Sequence, residues 1–264
     1  MGKKVRDVGA TDLIQQLIEE SFLFKGMDDL WLRDRVPTDR LVREKLYSSR
    51  PIFTAFLPTT SLEFLYVILE GGPVVARSTP LDRIIAMTYA GGAFGMRSLS
   101  VGCGRASRAF PSLVEAYKTT DVVKIPLPLV QVLYDESDVF RTRYELLFEL
   151  REKFQYHLLN CSTYPPQAVA ALLRALVYQE RSLGTQPEPD GTFSFDLPVD
   201  IITHACQLNH RTVEQVLKGM VKEGILKPNR AADSQGDWLC VVSPEALKEV
   251  YSSTRDKVSW WPLK

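Results

Sequence analysis

The spacing of apolar residues divides the chain into three regions. Two short runs near the start, residues 11–22 and 28–33, have helical spacing. From residue 51 to 126 the pattern changes to short β-branched and aromatic runs separated by Gly and Pro, which is typical of a jelly-roll-like barrel. After residue 127 the period becomes helical again. The predicted strands are 52–56, 63–69, 74–78, 83–88, 113–117 and 122–125.

One long helix is predicted between residues 134 and 160. Its apolar positions form a broad stripe that a single small domain would not cover on one side. Such helices commonly pack against a second copy of themselves. We therefore expect this helix to hold a homodimer. The stripe contains Val139, Leu146, Leu147, Leu150, Phe154 and Leu158.

Residues 197–230 are predicted to form two short helices around a tight turn, a helix-turn-helix. The first helix should cover residues 199–206, and Asn209 should cap the second by accepting from the backbone N–H of Thr212 or a neighbour. Gln207 stands where glycine is common, so it should adopt a positive φ unless the turn is wider. Val213, Val216, Leu217 and Met220 recur at helical spacing and should face inward, which directs His210, Arg211, Glu214, Gln215 and Lys218 outward.

Strands are expected on either side of this motif. Residues 192–195 precede it, a glycine at Gly224 ends the second helix, and residues 238–242 supply a strand after a polar loop. This order predicts a winged helix-turn-helix, followed by a helix at 245–251. The fold class is therefore α+β, with a sensing barrel domain at 1–133, a dimerisation helix at 134–162 and a winged-helix domain at 163–264.

Composition excludes several classes of protein. The 264 residues carry 32 Lys+Arg and 32 Asp+Glu, so basic character is local, concentrated between residues 209 and 230. No apolar run reaches the roughly 20 residues that a membrane helix needs, and the N-terminus lacks a signal-peptide core. We expect a cytoplasmic protein with no membrane partner. The four cysteines are scattered and no catalytic arrangement is visible, so neither an enzyme, a metal site nor a cofactor is expected.

Four segments, in chain order, resemble the CRP/FNR family of bacterial transcription regulators. LFKG (23–26) before an acidic helix is similar to the start of the family's sensing domain, and LYVILEGGPVV (65–75) to its central hairpin. GGAFGMRSLS (91–100) is similar to the effector cassette, and NHRTVEQVLKGMVKEGIL (209–226) to the recognition helix. The resemblance covers nearly the whole chain and implies a homodimeric regulator that binds double-stranded DNA.

By this resemblance, specific residues would contact DNA. His210, Arg211 and Gln215 occupy base-reading positions, with Arg211 suited to guanine and Gln215 to adenine. Asn209 and Thr212 occupy phosphate-contacting positions, and Lys218 is expected to contact the backbone as well.

The cassette departs from the cyclic-AMP binders of the family. Met96 and Arg97 stand where a ribose-binding glutamate is expected, and the Arg-Ser/Thr phosphate clamp has no clear match. Two other anionic effectors remain open. A 2-oxoglutarate-like dicarboxylate suits the cassette, through Gly95, Met96, Arg97, Arg105 and Arg108; cyclic di-GMP suits the N-terminal group of Trp31, Arg33, Asp34, Arg35, Arg40 and Arg43.

Two further functions compete with this one. One is an effector-independent protein that acts mainly through another regulator, with Trp260 and Trp261 as the contact. A catalytic barrel of the cupin type would need inward-facing histidines, and the predicted strands contain none. The N-terminal arginines also have a simpler interpretation, as a solvated loop and helix face.

Overall fold

The computed structural model describes residues 12–48, 50–54, 62–78, 82–96, 112–159, 163–227, 237–252 and 258–262. Its elements follow the predicted order. The helices are α1 (Leu13–Glu20), α2 (Asp29–Arg35), α3 (Leu127–Glu136), α4 (Asp138–Leu159), α5 (Pro165–Ser182), α6 (Val199–Cys206), α7 (His210–Lys222) and α8 (Pro244–Ser252), with a 3-10 turn at Thr38–Arg40. The strands are β1 (Val42–Leu46), β2 (Pro51–Thr54), β3 (Phe64–Glu70), β4 (Val74–Ser78), β5 (Arg83–Thr88), β6 (Ala93–Phe94), β7 (Leu113–Ala116), β8 (Thr120–Pro126), β9 (Phe193–Asp196), β10 (Leu226–Lys227) and β11 (Trp238–Val241).

The first eight strands form two antiparallel four-stranded sheets, ordered β1-β8-β3-β6 and β2-β7-β4-β5. β3 explains how they pack, because both of its faces are buried. Tyr66 and Ile68 point into the core between the sheets, while Leu65 and Val67 pack on the opposite side against the helices. Among the described residues the two sheets make a sandwich, and closure into the predicted barrel is not observed.

The predicted single helix from residue 134 to 160 is two helices. α3 ends at Glu136, and Ser137 adopts an extended backbone as its C-cap. The Ser137 hydroxyl then accepts from the backbone N–H of Phe140 at 3.2 Å, in the manner of an N-cap for α4. A serine before an aspartate is a common helix start, and the apolar period continued across this break without revealing it.

Most of the apolar stripe of α4 is covered within the single chain, whereas Val139 is 51% exposed and Leu146 is partly exposed. The buried part of the stripe therefore does not require a twin helix, and the dimer stays a prediction. Phe140, Leu147, Leu150, Phe154 and Leu158 are all at most 7% exposed. The N-terminal part of the helix packs into the core formed with α1, α2 and α3, and the C-terminal part packs into the core of the winged-helix region. The helix is long because it crosses two cores.

The winged-helix region packs directly on the sandwich. Ile84 and Met87 of β5 belong to the same core as the buried residues of α5, α6 and α7. Polar contacts accompany this packing: Arg83 Nε donates to the Ala205 carbonyl at 3.1 Å, and the Tyr89 hydroxyl donates to the Asp196 carbonyl at 3.4 Å. Burial, reinforced by the nearby Asp196 carboxylate, raises the pKa of Tyr89 well above its ordinary value.

No helix in the described ranges combines the length and apolar character needed to cross a membrane.

Candidate nucleic-acid interface and effector regions

The turn between α6 and α7 has the geometry that the sequence predicts. Gln207 caps α6 in the left-handed region, with φ 56° and ψ 41°. A non-glycine residue in this region is strained, and the surrounding structure has to impose it. Asn209 then caps α7: its side-chain oxygen accepts from the backbone N–H of Thr212 at 2.8 Å. This hydrogen bond satisfies one of the unpaired donors of the first turn and fixes where α7 begins.

α7 has one buried and one exposed face. Val213, Val216 and Met220 are fully buried against the winged-helix core. On the opposite face Arg211 and Lys218, which lie two turns apart, are exposed. The predicted DNA-contacting residues therefore lie together at the cap and along the first three turns of a single helix, namely Asn209, His210, Arg211, Thr212, Gln215 and Lys218.

The charges on this face are available for a ligand. Within the described part of the chain, neither Arg211 nor Lys218 has an ion-pair partner. His210 lies 3.8 Å from a carboxylate oxygen of Asp200 and 3.8 Å from one of Glu214, on either side of its ring. Arg211 and Lys218 are therefore the cations on this face that can meet a phosphate or a base without first breaking a contact.

A three-stranded antiparallel sheet, ordered β10-β11-β9, lies beside the two helices. The wing loop joining β10 to β11, residues 228–236, falls outside the described residues. At its base the Lys227 ammonium pairs with Asp190. Hydrogen bonds from Lys227 and then Thr192 hold the pKa of the Asp190 carboxyl far below its ordinary value.

The N-terminal arginines that the sequence offers to cyclic di-GMP are already paired with carboxylates. Arg33 forms hydrogen bonds with both Asp29 and Asp12. These bonds raise the pKa of its guanidinium above the ordinary arginine value, and the bond to Asp29 has the larger effect. Arg35 donates to Glu136 at 2.9 Å, on a helix about a hundred positions later. Each guanidinium is therefore neutralised by a carboxylate that a phosphate would have to displace.

The remaining members of this N-terminal group are spread over several elements. Arg35 also contacts its neighbour Asp34 and lies over the Trp31 ring, with 4.6 Å from the guanidinium carbon to the ring centroid. Arg43 is on β1 and reaches Asp121 at 3.3 Å. Arg40 is exposed on the 3-10 turn. Trp31 and Arg35 are thus in contact, whereas Arg40 lies on the 3-10 turn and Arg43 on the edge strand β1.

The described part of the effector cassette is tightly held. Gly95 has φ +86°, and a Cβ there would lie 2.4 Å from the Phe64 carbonyl oxygen, so only glycine fits. Met96 is 7% exposed. Its carbonyl accepts from Arg151 of α4 at 2.9 Å. Arg97, Arg105 and Arg108 lie outside the described residues.

Arg151 is a cassette contact that the sequence analysis missed. Its guanidinium lies over Phe148 at 4.6 Å, and burial lowers its pKa. Its one ion pair among the described residues is a 3.5 Å contact to Glu152. Nothing in the local sequence distinguishes Arg151 from other charged positions on α4, since its role depends on a strand more than fifty residues earlier.

The C-terminal tryptophans do not form an exposed contact surface. Trp260 and Trp261 are both partly buried and pack against the winged-helix core. Trp260 lies on α7 beside Gly219, where it approaches the helix backbone closely. Both rings are therefore engaged in packing within the chain, and only part of each is left exposed.

No family model matches the chain, and no curated protein matches it either. Solved structures do. FixK2 from Bradyrhizobium japonicum aligns with a TM-score of 0.56 over 79% of this chain and 96% of its own, at 16% identity. A CooA mutant from Carboxydothermus hydrogenoformans aligns with a TM-score of 0.54 over 81% and 89%, also at 16% identity. Many of the structures similar to this chain are CRP/FNR family transcriptional regulators with cyclic-nucleotide-binding domains. The order of parts found in the sequence and this structural likeness agree, and the chain has the fold of the CRP/FNR regulators.

Proposed function

We propose that this protein is a homodimeric, sequence-specific DNA-binding regulator of the CRP/FNR family. The observation that carries the proposal is the exposed face of α7, where Arg211 and Lys218 stand without carboxylate partners among the described residues. A capped helix of 13 residues with its opposite face buried has the form of a major-groove reading helix. Two such helices, one from each subunit, would read half-sites about one helical turn apart.

Some residues on this face would contact bases and others phosphates. Arg211, in the first turn of α7, can fork onto the O6 and N7 acceptors of guanine. Gln215 lies one turn further along and can pair with adenine. Lys218 carries a flexible ammonium, which suits a phosphate contact that is independent of sequence. His210 lies near the carboxylates of Asp200 and Glu214, so it would contribute less to base recognition than Arg211 and Gln215.

Fluorescence anisotropy with specific and random DNA tests these roles. Arg211→Ala should cost about 1–3 kcal/mol on the specific site and relax base choice at one position. Lys218→Ala should weaken all sequences alike and flatten the salt dependence. The control is Lys248→Ala, which removes an exposed lysine from α8 of the same region. Equal losses on both DNAs for Arg211→Ala and Lys248→Ala would rule out α7 as the reading helix.

For the effector, we infer that a small dianion such as a 2-oxoglutarate-like dicarboxylate is sensed at the cassette. The pairing of Arg33 and Arg35 with carboxylates disfavours the N-terminal group as an anion site. At the cassette, Arg151 holds the Met96 carbonyl and has a single long ion pair among the described residues. Arginine can pair bidentately with a carboxylate, which would compete here with the Met96 carbonyl and the long contact to Glu152.

Calorimetry with 2-oxoglutarate and cyclic di-GMP separates the two sites. The expected result is 2-oxoglutarate binding that Arg151→Gln abolishes and Arg33→Ala leaves unchanged. Cyclic di-GMP binding that is lost in Arg33→Ala, with Arg151→Gln unaffected, would instead place the effector at the N-terminal arginines. Binding of neither ligand would support an effector-independent regulator.

The dimer would use the face of α4 that the chain leaves open. Val139 is 51% exposed and Tyr156 is 65% exposed, and Leu146 lies partly exposed between them at heptad-like spacing. Val139→Asp combined with Leu146→Asp should give a folded monomer by light scattering and circular dichroism. Leu147→Asp, which places a charge in the buried stripe, should unfold the chain instead. A dimer unaffected by the double substitution would exclude this face as the interface.

A further inference from the structure

A cavity of about 270 Å³ opens between α4, α5 and α8, where the long helix meets the winged-helix region. Its lining includes Lys153 and His157 of α4, Arg174 and Tyr178 of α5, and Tyr251 of α8. The rest of the described lining is apolar apart from one glutamine, and it contains no carboxylate. The cavity shares no residue with the cassette or with the exposed face of α7.

The three basic side chains of this cavity differ in how far they are already compensated. Lys153 pairs with Glu149 at 2.6 Å and donates to the Tyr178 hydroxyl at 3.3 Å. Arg174 has no carboxylate partner within the described ranges; its guanidinium carbon lies 4.7 Å from the centroid of the Tyr251 ring. Because, among the described residues, Glu149 pairs with Lys153 alone and Arg174 keeps its charge uncompensated, the cavity has an excess of positive charge.

His157 lines the same cavity and lies near both cations. Partial burial, followed by the charges of Arg174 and Lys153, lowers its pKa. Its ring meets the Tyr251 ring edge-on, with 6.4 Å between centroids. A dianion placed in the cavity would offset both nearby charges and favour protonation of the imidazole, so that a third donor is recruited on binding.

We propose that this cavity is a binding site for a small phosphomonoester, with Arg174 and Lys153 as the phosphate ligands and His157 as a supporting donor. Arginine forks onto two phosphate oxygens while lysine supplies a point charge, and both are present on facing helices. The hydroxyl groups of Tyr178 and Tyr251 border the same space and can bond to the organic part. The lack of a lining carboxylate disfavours a cationic ligand.

A ligand in this cavity would affect how three helices pack, because α4, α5 and α8 all line it. A bound phosphomonoester would contact three helices at once. It would stabilise their observed arrangement by RT ln(1 + L/Kd), where L is its free concentration, so the stabilisation increases with the logarithm of its concentration. The part of α4 that lines the cavity packs in the same core as α5 and α8. The ligand would therefore fix the C-terminal end of the long helix on the winged-helix region.

The test uses the full chain with ribose 5-phosphate as the probe and ribose as its uncharged counterpart. Binding is followed by calorimetry and by the NMR resonances of the His157 ring. Ribose 5-phosphate should bind and shift these resonances, whereas ribose should do neither. Arg174→Gln should weaken the binding about tenfold or more, the usual cost of losing a charge-assisted hydrogen bond. Arg174→Lys, which keeps the charge and removes the fork, should lie in between.

Two controls keep the result specific. Arg181→Gln removes an exposed arginine from the same helix, outside the cavity, and should leave the binding unchanged. DNA affinity measured without ribose 5-phosphate should be equal in Arg174→Gln and the unmodified protein, because the proposed site binds a free phosphomonoester and not the phosphates of DNA. Equal effects of Arg174→Gln and Arg181→Gln, absence of binding in the millimolar range, or a loss of DNA affinity in Arg174→Gln would each overturn the proposal.

Discussion

Gly219 provides a test of how the C-terminal segment is held on α7. Replacing a glycine inside a helix by alanine ordinarily stabilises the helix by about 1 kcal/mol. Gly219 is in the middle of α7 and is buried under Trp260. An added Cβ would lie 2.5 Å from Cε3 and 2.6 Å from Cζ3 of that indole. Because carbon atoms in contact are about 3.5–4 Å apart, the ring would have to move. We therefore expect Gly219→Ala to destabilise the protein.

The size of the effect follows from what the indole contributes. Removing a buried tryptophan costs about 3–5 kcal/mol, and Trp260 is only partly buried, so its contacts are worth roughly 2 kcal/mol. If the new methyl group displaces the ring, most of this is lost, while the helix gains about 1 kcal/mol. The net loss is about 1 kcal/mol. In a Trp260→Ala background only the gain remains, so the same substitution should stabilise by about 1 kcal/mol, a coupling of roughly 2 kcal/mol.

Urea denaturation followed by far-UV circular dichroism measures this cycle, with Gly219→Ala made alone, with Trp260→Ala and with Trp261→Ala. The sign should reverse only when Trp260 is removed, because Trp261 is not the ring that meets the glycine. Acrylamide quenching should also show a more accessible indole in Gly219→Ala. If the substitution stabilises the protein equally in every background, the tail does not pack on α7 as described, and the reasoning fails.

Two further predictions concern the cap of α7 and the titration of the cavity. Asn209→Ala should destabilise the protein by about 1 kcal/mol, while Asn209→Asp should retain most of the stability because it keeps the capping oxygen; thermal denaturation distinguishes the two. NMR titration should find the pKa of His157 below its ordinary value of about 6.5, and Arg174→Gln should bring it nearer to that value by removing one of its causes. With a lowered pKa in the folded protein, His157 binds a proton more tightly in the unfolded chain. Protonation therefore favours unfolding, and His157 should lower the free energy of unfolding as the pH falls below about 6.5. An unshifted pKa would contradict the packing described around the ring.

The helix-turn-helix could be predicted from the sequence almost to the residue, because its determinants are local. The bounds of α6, the cap at Asn209 and the positive φ of Gln207 each depend on a few neighbouring positions. The strands β4 and β5 were also predicted with their observed bounds, since turn residues mark both ends. In these segments short-range periodicity and capping are sufficient.

β1 was missed for the opposite reason. Its sequence, Val42–Leu46, is mostly charged and exposed, and the pattern resembles a basic loop. It is a strand because it pairs with β8 along an edge of the sheet, where Arg43 meets Asp121 and Lys124 meets Glu44 across the ladder. The partners lie about eighty residues away, so no window of local sequence contains the interaction that orders the strand.

The same limit explains the N-terminal arginines and the stripe of α4. A run of basic residues predicts an anion site only if no carboxylate is folded against it, and Glu136 and Asp121 are remote in sequence from Arg35 and Arg43. An apolar stripe likewise shows that something must cover a helix without showing what does. Here the chain covers α4 with two of its own cores, and the basis for a dimer shifts to the side of the helix that is left open.

The contact between β5 and α6 connects the two parts of the fold next to the turn from which α7 begins. The last carbonyls of a helix have no partner within it, and the one at Ala205 of α6 accepts from Arg83 of β5. Two residues later Gln207 makes the left-handed turn, and Asn209 then begins α7. A displacement of β5 would therefore act on a turn that is already strained and that determines where α7 points. A displacement of the sandwich at β5 would then reach α7 through this turn, with no change required inside α7.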